Sequence, residues 1–547
     1  MKVDYVVKNA TIYSSNKDNL SPQAFAVKDG KFVYVGDEAG LSDYEGEVKD
    51  MKGQFIIPGL IDSHIHLPAA IGLSFLGSSP YITGSSKADA LKFIKDYIAA
   101  NPGKPSYLFI INKLMLGDED ICYEELDEIC SESEIILFEC GGHSEWFNGT
   151  VLKNRGIDDS VIDPVPNLHY YVRDAKGHLT GNFYEGPGMK ILMEKADETT
   201  DEEIERQLMM WIDYAKKVGV SAAYEAGTPG SEKFTERVYG VLCRLDKEGK
   251  LPIHIEGSYM AYLPEMIDGA IDKLIRMNKE YSTEHVRVRT LKILLDGTMN
   301  IETAYMVDPF VSGKNGGRIV DEKRMSELII KLNELGFDLH VHTVGDASSK
   351  TVLDAVELAR KELGDNYHTR VTAAHLEVVH ESSLKRFGEL DVYANFTPFW
   401  HGAYDSRPLG EERANRVFSS RTIHDAGALF CCSSDNIAFG DFSKWNPLLG
   451  IEVGITRLFD TNTKIDEYSK TGFPLAPASE CMTMDQMLLG YTINNAHQLK
   501  IEDRKGSIEI GKDADFLVYE EDFFKRDLNG LSQLEPVEVY FGGKLIK

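Results

Sequence analysis

The chain has 547 residues, 43% hydrophobic and 27% charged, an ordinary composition for a globular protein large enough to hold more than one domain. A formal net charge of −28 argues against nucleic acid and anionic membrane surfaces as partners, since both would repel it. Seven scattered cysteines without a CxxC pair, no basic-then-apolar leader and no apolar run of roughly 18 residues point to a soluble protein of the reducing cytoplasm.

In chain order, short strands are predicted at 3–7, 10–13, 24–27 and 32–35, broken by Asn16 and by Asp29-Gly30, a dipeptide suited to tight hairpins. The run Phe55-Ile56-Ile57-Pro58-Gly59-Leu60-Ile61-Asp62-Ser63-His64-Ile65-His66 leaves a Pro-Gly turn and re-enters an extended segment. Side chains alternate along a strand, so His64 and His66 share a face and form half of a metal site. Residues 74–193 are long, Gly-rich and acidic, and are expected to be an insertion over the mouth of the main body.

Beyond this the pattern turns regular. A helix is predicted over 200–217, with Thr200 and Glu203 as a capping box, Ile204, Leu208, Trp211, Ile212 and Ala215 on one face, and Gly219 as the stop. A strand at 220–224 follows, then helix 325–335 with strand 337–342, helix 350–363 with strand 371–374, and strands at 392–396 and 429–432. Such alternation predicts a parallel sheet of the α/β class, and the length favours a (β/α)₈ TIM-like barrel over an open doubly wound sheet. Strands at 514–519, 537–541 and 544–546 restore the texture of the first residues. The two ends, 1–58 and 500–547, are therefore expected to pair into one composite β-sandwich domain. The barrel would span 59–499, with the insertion at about 74–193.

Chemistry concentrates at the predicted strand ends. His340 and His342 form a second HxH before Gly345-Asp346, His375 ends another run, and Asp435 follows Phe430-Cys431-Cys432. Lys292 is embedded in Leu291-Lys292-Ile293-Leu294-Leu295-Asp296-Gly297, where a snorkelling surface lysine is the plain alternative. A lone strand-end histidine is more often a turn former. Several at successive strand ends match the face on which barrel enzymes build their sites. Of the two HxH residues, His342 lies nearer the strand's C-terminal end.

These marks, together with Glu302-Thr303-Ala304, Arg370 before His375-Leu376-Glu377, ANFTPFW, LGEERANR and the Lys505–Phe516 tail, resemble the amidohydrolase superfamily. Within it they are most similar to the amidohydrolase-3, YtcJ-like branch, over nearly the whole chain. The resemblance implies a divalent transition metal, zinc with iron and manganese as alternatives, as one or two ions held by His64, His66, His342, His375 and Asp435. It further implies that Lys292, carboxylated, bridges two ions, and that Asp435 shuttles the proton. His143, Arg370, Trp400 and Arg413 are expected to bind substrate, and the His143 segment with Trp146 and Asn148 to reach the pocket. One departure is Asn436-Ile437-Ala438-Phe439-Gly440, where family members often carry a basic or aromatic residue. The implied activity is metal-dependent hydrolysis of a non-peptide C–N bond (amide, N-acyl or N-formyl) in a small molecule. The alternatives are a deaminase of the same superfamily and a non-catalytic metal-binding barrel. A homodimer is left open.

Overall fold

A computed structural model describes residues 1–117, 119–437, 442–459 and 473–547. Residues 438–440 of the expected substrate loop lie outside the described residues. Eight parallel strands form one sheet in chain order: β1 (Leu60–Ile65), β2 (Val220–Glu225), β3 (His254–Ala261), β4 (Val286–Leu294), β5 (Asp338–Thr343), β6 (Val371–His375), β7 (Tyr393–Phe396) and β8 (Phe430–Cys432). The chain leaving β8 returns beside β1, where the Asp435 N–H donates to the His64 carbonyl at 2.9 Å. The Ser63 hydroxyl likewise donates to the Cys432 carbonyl at 2.8 Å, so the sheet closes on itself as a barrel. The strands are buried throughout most of their length, as expected of a parallel sheet covered by helices.

Local chemistry explains the flanking helices. Asp201–Val218 begins where the Thr200 hydroxyl accepts the Glu203 N–H and ends at Gly219, whose φ of 80° closes the last turn. The reciprocal half of the expected capping box is absent, because the Glu203 carboxylate turns instead to Arg206 and Gln207. Helices Glu322–Leu335 and Asp346–Leu363 start a few residues earlier than their apolar faces predict. The first is capped by Asp321, which accepts the Arg324 N–H, so polar residues open that helix before Met325.

The chain ends form two further sheets packed against each other, the second of which combines strands from both ends. One holds Lys2–Lys8, Ala24–Lys28, Lys31–Gly36 and Glu45–Asp50, and the other Thr11–Ile12, Phe55–Pro58, Phe516–Tyr519, Glu538–Phe541 and Lys544–Leu545. Asp29 and Gly30 at φ 51° and 77° make the first hairpin's turn, a left-handed pair that a Gly accepts without cost. Period-2 alternation divides the second sheet. Ile56, Phe516 and Val518 pack with Phe25, Phe32 and Val7, whereas Phe55, Ile57, Leu517 and Tyr519 join the core of the barrel.

The 74–193 region holds a sheet of its own, which its composition did not announce. Tyr170–Arg173, Leu179–Tyr184, Ser144–Phe147, Glu134–Glu139 and Ser106–Ile111 lie side by side in that order, over a core that includes Ile94, Phe109, Leu126, Leu137 and Trp146. The strands pair out of sequence order, so no simple repeat announced them. No helix among the described residues is long and apolar enough to cross a membrane.

Candidate active site

Strand ends β1, β4, β5, β6 and β8 deliver His64, His66, Lys292, His342, His375 and Asp435 to one mouth of the barrel. Asp435 Oδ1 lies 3.1 Å from His66 Nε2 and 3.4 Å from His64 Nε2, and Oδ2 lies 3.9 Å from His375 Nδ1. Lys292 Nζ stands 3.2 Å from His64 Nε2, and the His342 and His375 rings are 4.6 Å apart. His375 and Asp435 hold φ of 78° and 48°, values that side-chain-bearing residues adopt at a cost of about 1–3 kcal/mol and that cluster at functional sites. Burial drives the imidazoles of His64 and His375 well below their ordinary pKa and lowers that of His342, so each carries a free lone pair. Burial also lowers the Lys292 amine to about 7, which favours its uncharged form beside the histidines.

Outer partners orient these rings. His66 Nδ1–H donates to the Gly227 carbonyl, and His342 Nδ1–H donates to Asp296 Oδ1 at 2.9 Å. Both rings therefore keep Nε2 for the site, the usual arrangement of metal-binding histidines. His340 lies deeper in the barrel: its Nε2 meets His64 Nδ1 at 2.9 Å, and its ring stacks on Tyr224. Burial pushes Asp62 and Glu225 up to about 7; Asp62 accepts the Ser434 N–H and Glu225 the Tyr239 hydroxyl.

The donor set fits a cation. Ligand atoms of His64, His375 and Asp435 all lie within 4.8 Å of one another. His375 Nδ1 is buried without a hydrogen-bond partner among the described residues, a costly state for a polar atom unless a ligand meets it.

A cavity of about 1100 Å³ opens over the cluster. The insertion lines it with Lys113, His143, Glu185 and Met189, and the later barrel loops add Glu377 and Trp400. Trp400 stacks on His375 with centroids 5.4 Å apart and planes at 17°. His143 donates from Nδ1 to Glu185 Oε2 at 2.7 Å. Burial pushes Glu377 up to about 7. Glu185, Glu377 and Asp296 were not singled out from the sequence. Asp296, directly after a buried strand and before a glycine, and Glu377, within the His375-Leu376-Glu377 mark, stood in quoted segments without a role assigned to them.

Other expected substrate contacts are not in the cavity wall. Arg370 precedes β6, whereas His375 ends it, and five strand residues place them about 16 Å apart. Its guanidinium pairs with Glu502 at 2.6 and 3.0 Å and donates to the His497 carbonyl. Arg413 donates to the carbonyls of Asp308, Pro309 and Leu409, fastening loops together. Trp146 is buried in the insertion's own core, its indole N–H on Asp120, and Asn148 caps the helix Gly149–Asn154.

The chain is similar to known proteins over most of its length. The exoenzymes regulatory protein AepA of Pectobacterium carotovorum is 26% identical over 411 residues, covering 73% of this chain and 86% of its own. The N-substituted formamide deformylase of Arthrobacter pascens is 24% identical over 558 residues, covering 99% and 98%. A solved structure of an uncharacterized metal-dependent hydrolase from Pyrococcus horikoshii shares the fold with a TM-score of 0.66 at 19% identity, over 96% of this chain and 99% of that one. The sequence profile described as the amidohydrolase family matches residues 47–546, and the chain belongs to that family.

Proposed function

We propose that this amidohydrolase is a metal-dependent hydrolase of C–N bonds other than peptide bonds, acting on small N-acyl or N-formyl amines or related amides. The observation that carries the reading is the convergence of His64, His375 and Asp435 ligand atoms within 4.8 Å, with His375 Nδ1 left unpartnered in the interior. In this reading His64, His66, His375 and Asp435 hold a divalent transition metal, zinc suiting so imidazole-rich a set. His342 and Lys292, whose uncharged amine can be carboxylated, would serve a second ion. Such an ion supplies Lewis acidity that lowers the pKa of water from 15.7 to about 7.

The remaining work falls to the chain's own groups. Asp435 spans two histidines with one carboxylate oxygen and faces His375 with the other, so it borders the place where water must stand. It takes the proton from the attacking water and returns it to the leaving nitrogen, acting as base and then acid. Asp296 and the Gly227 carbonyl hold their imidazoles in orientation throughout. Trp400, against His375, gives the cavity an apolar wall beside the reacting bond.

The test is elemental analysis of the purified protein together with assays against a panel of N-formyl and N-acyl amines, cyclic amides and amino-substituted heterocycles. One to two transition-metal equivalents with carboxylate release from an N-acylated amine is the expected result. Full activity in metal-free protein sinks the proposal, and ammonia release from the heterocycles alone moves it to deamination.

A further inference from the structure

Six carboxylates among the described residues line the cavity, and they are not equivalent. Glu139 accepts the Gly141 N–H at 2.6 Å, Glu185 the His143 ring N–H, and Glu302 the Ser312 hydroxyl at 2.7 Å. Asp405 pairs with Arg407 at 2.8 Å, and Asp435 faces the histidines. Glu377 differs: it is only 7% exposed, yet no cation among the described residues stands within ion-pair distance of it. A carboxylate taken out of water without a counter-charge is costly unless a ligand supplies one.

Its surroundings are open in the same sense. The Tyr404 hydroxyl faces the Glu377 carboxylate but falls short of bonding geometry, and it is buried without a hydrogen-bond partner among the described residues. The Phe418 N–H donates to the Glu377 carbonyl at 2.9 Å, which ties the end of β6 to the loop after β7. Tyr404 meets the Phe418 ring edge-on, with centroids 5.2 Å apart, and Trp400 lies flat on the neighbouring His375. This corner of the cavity therefore offers an unpaired carboxylate, a free phenolic oxygen and aromatic rings, the surroundings that favour a cation. An ammonium lodged there can donate to both oxygens. Lys113, the lysine with which the insertion could hold an anion, is by contrast engaged: it donates to the Tyr184 hydroxyl at 2.5 Å and lies 4.7 Å from the centroid of that ring. The net charge of −28 adds a long-range attraction for positively charged substrates.

We propose that Glu377 and Tyr404 form a subsite for a protonated nitrogen of the substrate, so that the preferred substrates are N-acylated diamines, small amides that carry a second, positively charged amine. This rests on the hydrolase reading and narrows its substrate class.

The test presents the zinc-loaded full chain with three acetylated amines of nearly one shape. They are monoacetylated propanediamine, N-butylacetamide with a methyl in place of the ammonium, and N-acetyl-γ-aminobutyrate with a carboxylate there. kcat/KM is read for compounds that are hydrolysed, and Kd by calorimetry for those that only bind. The diamine should be favoured over the other two by at least about tenfold, the worth of one hydrogen bond to a charged group. Glu377→Gln keeps the outline but not the charge, and should bring the ratio of diamine to N-butylacetamide to within about threefold of unity, with zinc content unchanged. Tyr404→Phe should lower the same ratio by about threefold, the loss of a neutral hydrogen-bond acceptor, and serves should Glu377→Gln not fold. Equal treatment of the three compounds by wild type, preference for the carboxylate, failure to bind any of them, or a preference that survives Glu377→Gln overturns the proposal. Loss of zinc from Glu377→Gln overturns it as well, by making the carboxylate a support of the metal site. An unmoved ratio in Tyr404→Phe removes Tyr404 from the subsite, and overturns the proposal where Glu377→Gln does not fold. Binding in the expected order with no compound hydrolysed leaves the subsite standing and overturns the hydrolase reading instead.

Discussion

Replacing Asp296 by asparagine should damage the metal site from outside it. Four donors converge on this buried carboxylate: His342 Nδ1 at 2.9 Å and Val344 N at 3.2 Å on Oδ1, Gly345 N at 2.8 Å and Tyr305 N at 3.2 Å on Oδ2. An asparagine has the same outline but turns one oxygen into an NH₂ donor. Whichever way it lies, two of the four donors then face a donor. With the NH₂ toward Gly345 and Tyr305, two buried N–H groups lose their acceptor at about 1–3 kcal/mol each, roughly 2–6 kcal/mol together. With the NH₂ toward His342, the ring loses the contact that fixes its orientation, and metal affinity should weaken by about 10–100-fold. Thermal melting and zinc competition against a fluorescent chelator, on one preparation, read both costs. Asp296→Asn with both wild-type melting temperature and wild-type zinc affinity would refute the reasoning.

Asp435→Asn should lower kcat by about 10²–10⁴-fold while retaining most bound metal, since the histidines remain; turnover within a few-fold of wild type removes Asp435 as the proton carrier. Lys292→Met should cost the second metal equivalent, read by elemental analysis, and an unchanged stoichiometry would show that the lysine serves no ion. Arg370→Gln should leave KM within about twofold, because its partner Glu502 lies away from the cavity, but should lower the melting temperature. Burial works against ionisation of Glu502, yet hydrogen bonds from His497 and Arg370 hold its carboxyl well below the ordinary range. A depressed carboxyl stabilises the fold fully above its unfolded value of about 4.3 and loses that contribution as pH falls below it. The gap in melting temperature between wild type and Arg370→Gln should therefore be full at pH 7 and narrow on acidification, and a gap independent of pH would count against the pairing.

Residues that end a strand were readable in advance, because an apolar run with a polar terminus declares both its burial and its direction. His64, His375 and Asp435 are of this kind, and so is the placement of His342 above His340 on β5. Arg370 was expected at the pocket from its place among the family marks, yet it stands at the start of β6, where proximity in sequence along a strand is separation in space. β3 was missed, its His254 and Glu256 interrupting an otherwise apolar run. Glu185, Glu377 and Asp296 owe their importance to burial, and burial of a loop carboxylate follows from the tertiary fold rather than from neighbours in the chain. The insertion's sheet was invisible for a related reason: Ser144–Phe147 pairs with Leu179–Tyr184 and not with the intervening Tyr170–Arg173, an order no local period encodes.

The paired chain ends bear on how the protein must be made. The Tyr5 hydroxyl donates to the Gly543 carbonyl across 538 residues of sequence, and Phe55–Pro58, which runs straight into β1, has Phe516–Tyr519 as its antiparallel neighbour. At a ribosomal pace of 5–20 residues per second, the early strands wait roughly half a minute to two minutes for these partners. Throughout that interval an edge rich in Phe55, Ile56 and Ile57 stands open, adjoining the segment that carries His64 and His66. Slow translation or loss of the last strands would thus be felt first as aggregation of nascent chains, at a site remote from the lesion.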